Sequence, residues 1–239
     1  MRIAKFIAGA GICSRRQAER LIEQGEVTVN GQVINSPALN VDETNAVKVS
    51  GKVIKQPAND RLWIYYKPTG LITTHSDPQN RPTIFQELEG KLPRVISVGR
   101  LDLNSEGLLL LTTSGDLSRY FESPANKFER VYKVRSFGKG KEISLNNKKI
   151  TIDDMTYHPK SIKLTKKNIS NSWYEVVLTE GKNREIRRIF EHFGHEVSRL
   201  IRTKFGQYSL GDMKPGEYKE VKIDANYRGK TQKQNNTHS

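Results

Sequence analysis

Two unbroken apolar runs constrain this chain more than any other feature. They are Leu62-Trp63-Ile64-Tyr65-Tyr66 and Leu108-Leu109-Leu110-Leu111. Each is of strand length and falls far short of the ~18 residues needed to span a bilayer. Both read as buried strands of a central sheet, with Val95-Ile96-Ser97-Val98 as a third. Lys67-Pro68-Thr69-Gly70 is a turn sequence that ends the first run. The polar stretch from Gly99 to Gly107 is therefore a loop strung between two buried strands. Loops held by rigid strands are where function concentrates.

The residues ahead of Gln56 form a different pattern. Ile3, Phe6, Ile7 and Ala10 recur at helical spacing, and Gly9 and Gly11 keep that helix short. This apolar start faintly imitates a signal peptide. The polar Ser14-Arg15-Arg16-Gln17 follows it with no small-residue cleavage site, so it reads as structural and the chain as cytoplasmic. Ser14 and Gln17 make a capping box that opens a second helix, with Ala18, Leu21 and Ile22 on one face. Val27 to Ile34 alternates around Asn30-Gly31, a strong hairpin signal. Val47, Val49 and Val53 suggest further short strands. Gln56-Pro57-Ala58-Asn59-Asp60 reads as a connector, giving domains over 1–56 and 61–225. The polar residues 226–239 have the composition of a disordered basic tail.

Beyond the connector, short helices are expected at Ile84–Leu88 and Asp116–Phe121. Strands are expected at Val131–Ser136, Ile162–Leu164, Trp173–Leu178 and Val197–Ile201. A helix opening at Asn183 carries Ile186, Ile189, Phe190 and Phe193 on one face and stops at Gly194. The fold class is α+β: a helix-helix-hairpin unit, then a mixed, mostly antiparallel sheet flanked by helices.

The chain has 239 residues with 40 Lys+Arg against 26 Asp+Glu, a net charge of +14. That excess points to a polyanion, and nucleic acid is favoured over a membrane, which would call for a basic amphipathic helix with a large apolar face. The surplus is not confined to the tail. Lys127–Lys149 holds eight basic and two acidic residues, whereas residues 1–56 hold eight and five. Most of the polyanion-attracting charge thus belongs to the larger domain. Arg15, Arg16 and Arg20 lie on or beside the second helix. They are either a solvated face paired with Glu19 and Glu23 or a phosphate-contacting one.

The common chemical sites are missing from the sequence. A single cysteine, Cys13, excludes a disulfide framework and a cysteine-based zinc site. The five histidines lack metal spacing, and neither a P-loop nor a dinucleotide fingerprint occurs. No cofactor and no metal are expected. What stands out is Gly99-Arg100-Leu101-Asp102-Leu103-Asn104-Ser105-Glu106-Gly107. On its chemistry alone Asp102 is either an ordinary turn residue or a catalytic carboxylate.

Resemblance separates those options. Ser14-Arg15-Arg16-Gln17-Ala18 with Val27-Thr28-Val29-Asn30-Gly31 resembles the RNA-binding domain first seen in ribosomal protein S-four. The Asp102 loop resembles the active-site motif of pseudouridine synthases of the class named for RsuA and RluB. Other family segments follow in order: Tyr66-Lys67-Pro68-Thr69-Gly70, Asp77-Pro78-Gln79-Asn80-Arg81-Pro82-Thr83, Arg130-Val131-Tyr132-Lys133-Val134, the Leu178–Arg188 stretch and Arg199-Leu200-Ile201-Arg202. Ser105 replaces the usual Thr, and Arg130 a common Lys, but no catalytic group is lost.

The resemblance implies isomerisation of uridine to pseudouridine in RNA, with breakage of the uracil–ribose C–N bond and re-attachment through C5. It implies that Asp102 is the essential residue, attacking C1′ or taking the C2′ proton. Arg187 is implied as its bidentate partner and Tyr132 as the residue against the base. Arg100 would fill the place of the flipped base or hold a phosphate. Ile186 would close the apolar wall, and Lys67 and Arg202 would contact the RNA backbone. The N-terminal domain and the Tyr-Tyr-Lys-Pro opening favour the RluB-like branch, which acts on large-subunit (23S) ribosomal RNA. The small-subunit (16S) branch and a non-catalytic assembly factor are the alternatives. The partner is then ribosomal RNA or a pre-ribosomal particle, the membrane plays no part, and the chain works as a monomer.

Overall fold

The computed structural model describes residues 1–57 and 59–227. The N-terminal unit opens with helices α1 (Ile3–Gly9) and α2 (Arg15–Glu23). The Ser14–Gln17 capping box forms in both directions, satisfying backbone donors that the first turn of α2 would leave free. Strands β1 (Val27–Val29), β2 (Gln32–Val33), β3 (Val47–Val49) and β4 (Lys52–Val53) make a sheet ordered β2-β1-β3-β4. The β1–β2 turn takes positive φ at Asn30 (50°) and Gly31 (86°), which is why Asn-Gly suits it. Ile3, Ile7, Ala18, Ile22, Val27 and Val47 pack as a core of their own.

The larger unit runs through β5 (Leu62–Lys67), α3 (Ile84–Glu87), β6 (Ile96–Ser97), β7 (Glu106–Thr112), α4 (Gly115–Glu122), β8 (Arg130–Phe137), β9 (Leu145–Asn146), β10 (Ile150–Ile152) and β11 (Met155–Tyr157). It continues with β12 (Ser161–Lys167), β13 (Ser172–Leu178), α5 (Glu185–His192), β14 (Glu196–Phe205), β15 (Tyr208–Ser209) and β16 (Tyr218–Val221). Its sheet is ordered β16-β5-β7-β14-β8-β13-β12-β9, with β6 on β7 and β15 on β14. The pair β7–β14 is parallel, and the other strand ladders among the described residues are antiparallel.

Every residue of β5 and β7 is buried, as an apolar run without alternation requires. One face of the sheet packs with Ile186, Ile189 and Phe190 of α5, and the other with Leu117 and Phe121 of α4. At Gly107 (φ 105°) a Cβ would lie 2.3 Å from the Arg202 carbonyl oxygen. Only glycine lets β7 and β14 approach this closely.

Two expectations change. Helix α5 begins at Glu185 rather than Asn183, because Arg184 is left-handed (φ 50°) and the Glu185 carboxylate reaches back to the Lys182 N–H at 3.3 Å. The tail does not begin at 226. Tyr227 packs on the same face of the sheet as Leu117 and Phe121, and its hydroxyl donates to the buried Asp60 carboxylate at 2.9 Å. The rest of the expected disordered tail lies outside the described residues.

Among the described residues the units meet at several places, including the connector, an ion pair and a groove lined by Cys13, Ser14, His75 and Arg94. Gln56 Nε2 donates to the Phe6 carbonyl, and Lys5 Nζ lies 2.7 Å from Asp116 of α4.

Candidate active site

The loop between β6 and β7 is held carbonyl by carbonyl. Leu101 O accepts from Thr73 Oγ1 at 2.9 Å, and Leu103 O from the Gly70 N–H at 2.9 Å. Asn104 O accepts from Arg187 Nη2 at 2.9 Å. Lys67 Nζ donates to Asp102 O (3.1 Å), Ser105 O (2.9 Å) and Pro68 O (2.9 Å). Each carbonyl from Leu101 to Ser105 is therefore occupied, and the loop has little freedom. Upstream, the Gly99 N–H donates to Glu122 of α4 at 2.8 Å. The Asp102 side chain is the exception: it is exposed and takes no hydrogen bond among the described residues. The loop is a rigid mount for one free carboxylate.

That carboxylate faces a cleft of about 610 Å³. Arg100, Tyr132, Ile186, Arg187 and Arg202 line it together with Asp102, so six of the sequence candidates converge there. Tyr132 on β8 and Ile186 on α5 are buried, and Arg100 is exposed; among the described residues neither the Tyr132 hydroxyl nor the Arg100 side chain makes a hydrogen bond. Arg15, Arg16 and Arg20 are exposed on α2 and outside the cleft.

The expected Asp102–Arg187 pair is not formed. Arg187 Nη1 donates to Val197 O at 2.9 Å and Nη2 to Asn104 O, leaving its buried Nε without a partner. Burial and the Arg184 charge pull its pKa down, and the nearby Asp102 charge pulls it up. Arg187 thus braces the Asp102 loop through Asn104 and supports the carboxylate by field rather than by contact.

Lys67 is corrected. It is fully buried, and its three protons go to the three carbonyls named above, so it cannot reach an RNA backbone. Burial pushes its pKa down to about 8, against the pull of Asp102 and Glu106. Arg202 is likewise no surface contact. It is 3% exposed, its Nε donates to Leu108 O at 2.7 Å, and it lines the cleft from within.

Two cleft residues were not singled out from the sequence. Arg130 lies over the Phe205 ring at 4.6 Å, with Arg202 at 5.4 Å over the same ring. The Arg130 pKa is lowered, chiefly by burial. Glu185 is 3% exposed, and its pKa is raised to about 7 by burial and by the neighbouring Glu180 charge. Arg130 looked like a strand residue and Glu185 like a helix-start acid, so only their burial reveals them.

Comparison with known proteins gives this geometry a family. A sequence model described as S4 domain matches residues 1–47, and one described as RNA pseudouridylate synthase matches residues 61–192. An RNA-binding unit ahead of a cleft of this kind marks the class as an enzyme that modifies RNA. An uncharacterized RNA pseudouridine synthase of Rickettsia felis is 61% identical over 92% of this chain and 96% of that protein. Ribosomal large subunit pseudouridine synthase B of Salmonella typhi is 40% identical over 87% of this chain and 75% of its own length. A crystal structure of pseudouridylate synthase superposes with a TM-score of 0.60 at 26% identity, covering 93% of this chain and 96% of that one. The chain belongs to the RNA pseudouridylate synthase family, with an S4 domain in front of the synthase domain.

Proposed function

We propose that this chain isomerises a specific uridine of large-subunit ribosomal RNA to pseudouridine, acting as a monomer in the cytoplasm. The observation that carries the reading is the free Asp102 carboxylate on its immobilised loop, facing a cleft that also holds Tyr132 and Arg187. The large-subunit target is supported by relatives that bear that substrate in their names.

The target base leaves its stack and enters the cleft, a step costing a few kcal/mol. Arg100, exposed beside Asp102, takes up the vacated place or a flanking phosphate. The uracil lies against Tyr132, with Ile186 as the apolar wall. Asp102 attacks C1′ or removes the C2′ proton, and the C–N bond breaks. The base turns until C5 faces C1′, and the C–C bond forms as the Asp102–C1′ bond breaks or as C2′ regains its proton from Asp102. Loss of the C5 proton, assisted by the Tyr132 hydroxyl, and protonation of N1 complete the isomerisation. A fixed loop means that little reorganisation accompanies the chemical step.

The test is tritium release from RNA labelled at uridine C5. Large-subunit RNA, free or in assembly particles, releases tritium with the wild-type chain. Asp102→Asn abolishes release while leaving RNA binding close to normal. Release from small-subunit RNA alone would move the target, and absence of release from every ribosomal RNA would overturn the reading.

A further inference from the structure

The excess positive charge of the larger domain has a location outside the cleft. Strands β8, β13 and β12 alternate buried and open positions, and their registers align the open residues in rows. Lys133 lies opposite Glu175, which lies opposite Lys163. Arg135 lies opposite Trp173, which lies opposite Lys166 across a bulge. Lys204 of β14 lies opposite Val131 at the cleft end of the same face. Neighbouring strands are about 4.8 Å apart, so Lys133 and Lys163 stand about 10 Å from each other.

Lys133, Lys163, Lys166 and Lys204 are exposed and make no hydrogen bond or ion pair among the described residues. Arg135 bonds only to Ser198 Oγ, at 3.1 Å. Glu175 is the one carboxylate in these rows. Lysines on β12 have an ordinary explanation, since β12 lies near the sheet edge and lysine discourages edge pairing. Lys133 and Arg135 do not share it. Strand β8 is interior, flanked by β14 and β13; Lys133 lies opposite Glu175 without forming an ion pair with it, and Arg135 lies opposite Arg199, a like charge that repels. A face that gathers cations and leaves most of them unpaired is complementary to a polyanion.

We propose that the outward face of β8, β13 and β12 is a second RNA-binding surface, which takes the phosphate backbone of substrate RNA beyond the target nucleotide. The inference rests on RNA being the substrate, not on which ribosomal subunit supplies it. The contacts are to phosphate, so they position the RNA without reading its sequence. Trp173, half-buried between Arg135 and Lys166, gives the row an apolar floor.

The test uses the full chain with Lys133, Lys163 and Lys166 all changed to Gln. Binding to a structured RNA of several hundred nucleotides is titrated against salt. Removing three phosphate contacts lowers the slope of log Kd against log salt by about 2 to 3. Tritium release from a minimal stem–loop is unchanged, since these residues are outside the cleft. In parallel, acetylation footprinting of the wild-type chain reads lysine reactivity with and without RNA. Lys133, Lys163, Lys166 and Lys204 become protected. An unchanged slope overturns the proposal, as do lysines equally reactive with and without RNA. Protection in a cell extract that survives ribonuclease also overturns it, because a protein would then cover the face. Any structured RNA serves in the binding arm, so a wrong large-subunit target would not imitate this failure.

Discussion

A lysine ammonium carries three protons, and Lys67 spends each on a main-chain carbonyl of Pro68, Asp102 or Ser105. The sequence shows Lys67 only as part of a turn, and its role depends on two carbonyls some 35 residues further along. Asp102 was legible as a catalytic candidate because it stands alone in a loop between apolar strands. Its support was not legible, because backbone carbonyls leave no mark in a sequence. Arg187 shows the same limit: the guanidinium sits in the cleft, but its partners are Val197 O and Asn104 O. Changing Lys67→Met keeps the bulk and leaves Pro68 O and Ser105 O without their donor, whereas Asp102 O keeps the Ser105 N–H. At about 1–3 kcal/mol for each unsatisfied group, stability falls by roughly 2 kcal/mol or more. Urea denaturation measures this, and hydrogen exchange detects loosening of residues 101–105. A variant as stable as wild type would remove Lys67 from its place as the anchor of the loop.

Among the elements, those that bury a continuous apolar run were readable. Strands β5 and β7 need no partner to be recognised, and the Ser14–Gln17 box marks the start of α2. Strand β14 extends to Phe205, past the expected end at Ile201, because the interior accepts Arg202 by giving its Nε a carbonyl. Strands of two to four residues such as β9, β15 and β16 carry too little pattern to be seen alone. The start of α5 was misplaced because Glu185 acts as a bracket to Lys182, not as an acid facing solvent. This bracket is pH-sensitive. Burial first, and then the Glu180 charge, raise the Glu185 pKa to about 7, above the ordinary carboxylate range. The folded chain therefore keeps this proton to higher pH than the unfolded chain. Its contribution to stability is complete below the ordinary carboxylate range and is lost as pH rises through about 7. Thermal melts between pH 5 and 8 should show the midpoint falling, and Glu185→Gln should flatten that fall. Parallel pH profiles for both proteins would refute it.

Two units are joined by a short connector, and the connector is tied at its far end. Asp60 is buried and accepts from Tyr227, so the last described residue closes onto the first residues of the larger unit. Tyr227→Phe removes that donor, and leaving the carboxylate unpaired costs about 1–3 kcal/mol. Chemical denaturation tests this, and a change near zero would show that Asp60 finds another donor. By contrast, the Lys5–Asp116 pair is partly exposed on both sides, and pairs of that kind contribute about 1 kcal/mol or less. The sheet has a related closure. Tyr218 lies opposite Tyr65, so β5, buried along its whole length, has one flank covered by β16, the last strand among the described residues. During translation that flank emerges about 150 residues before its cover. At roughly 5–20 residues per second, an apolar strand edge waits on the order of 10–30 s on the ribosome. Pulse proteolysis of stalled nascent chains should find the segment around Leu62 cleavable until Val221 has left the exit tunnel. Early protection would mean that another segment shields it meanwhile. A member of the RNA pseudouridylate synthase family thus depends on a ribosome for an unprotected interval before its own sheet is closed.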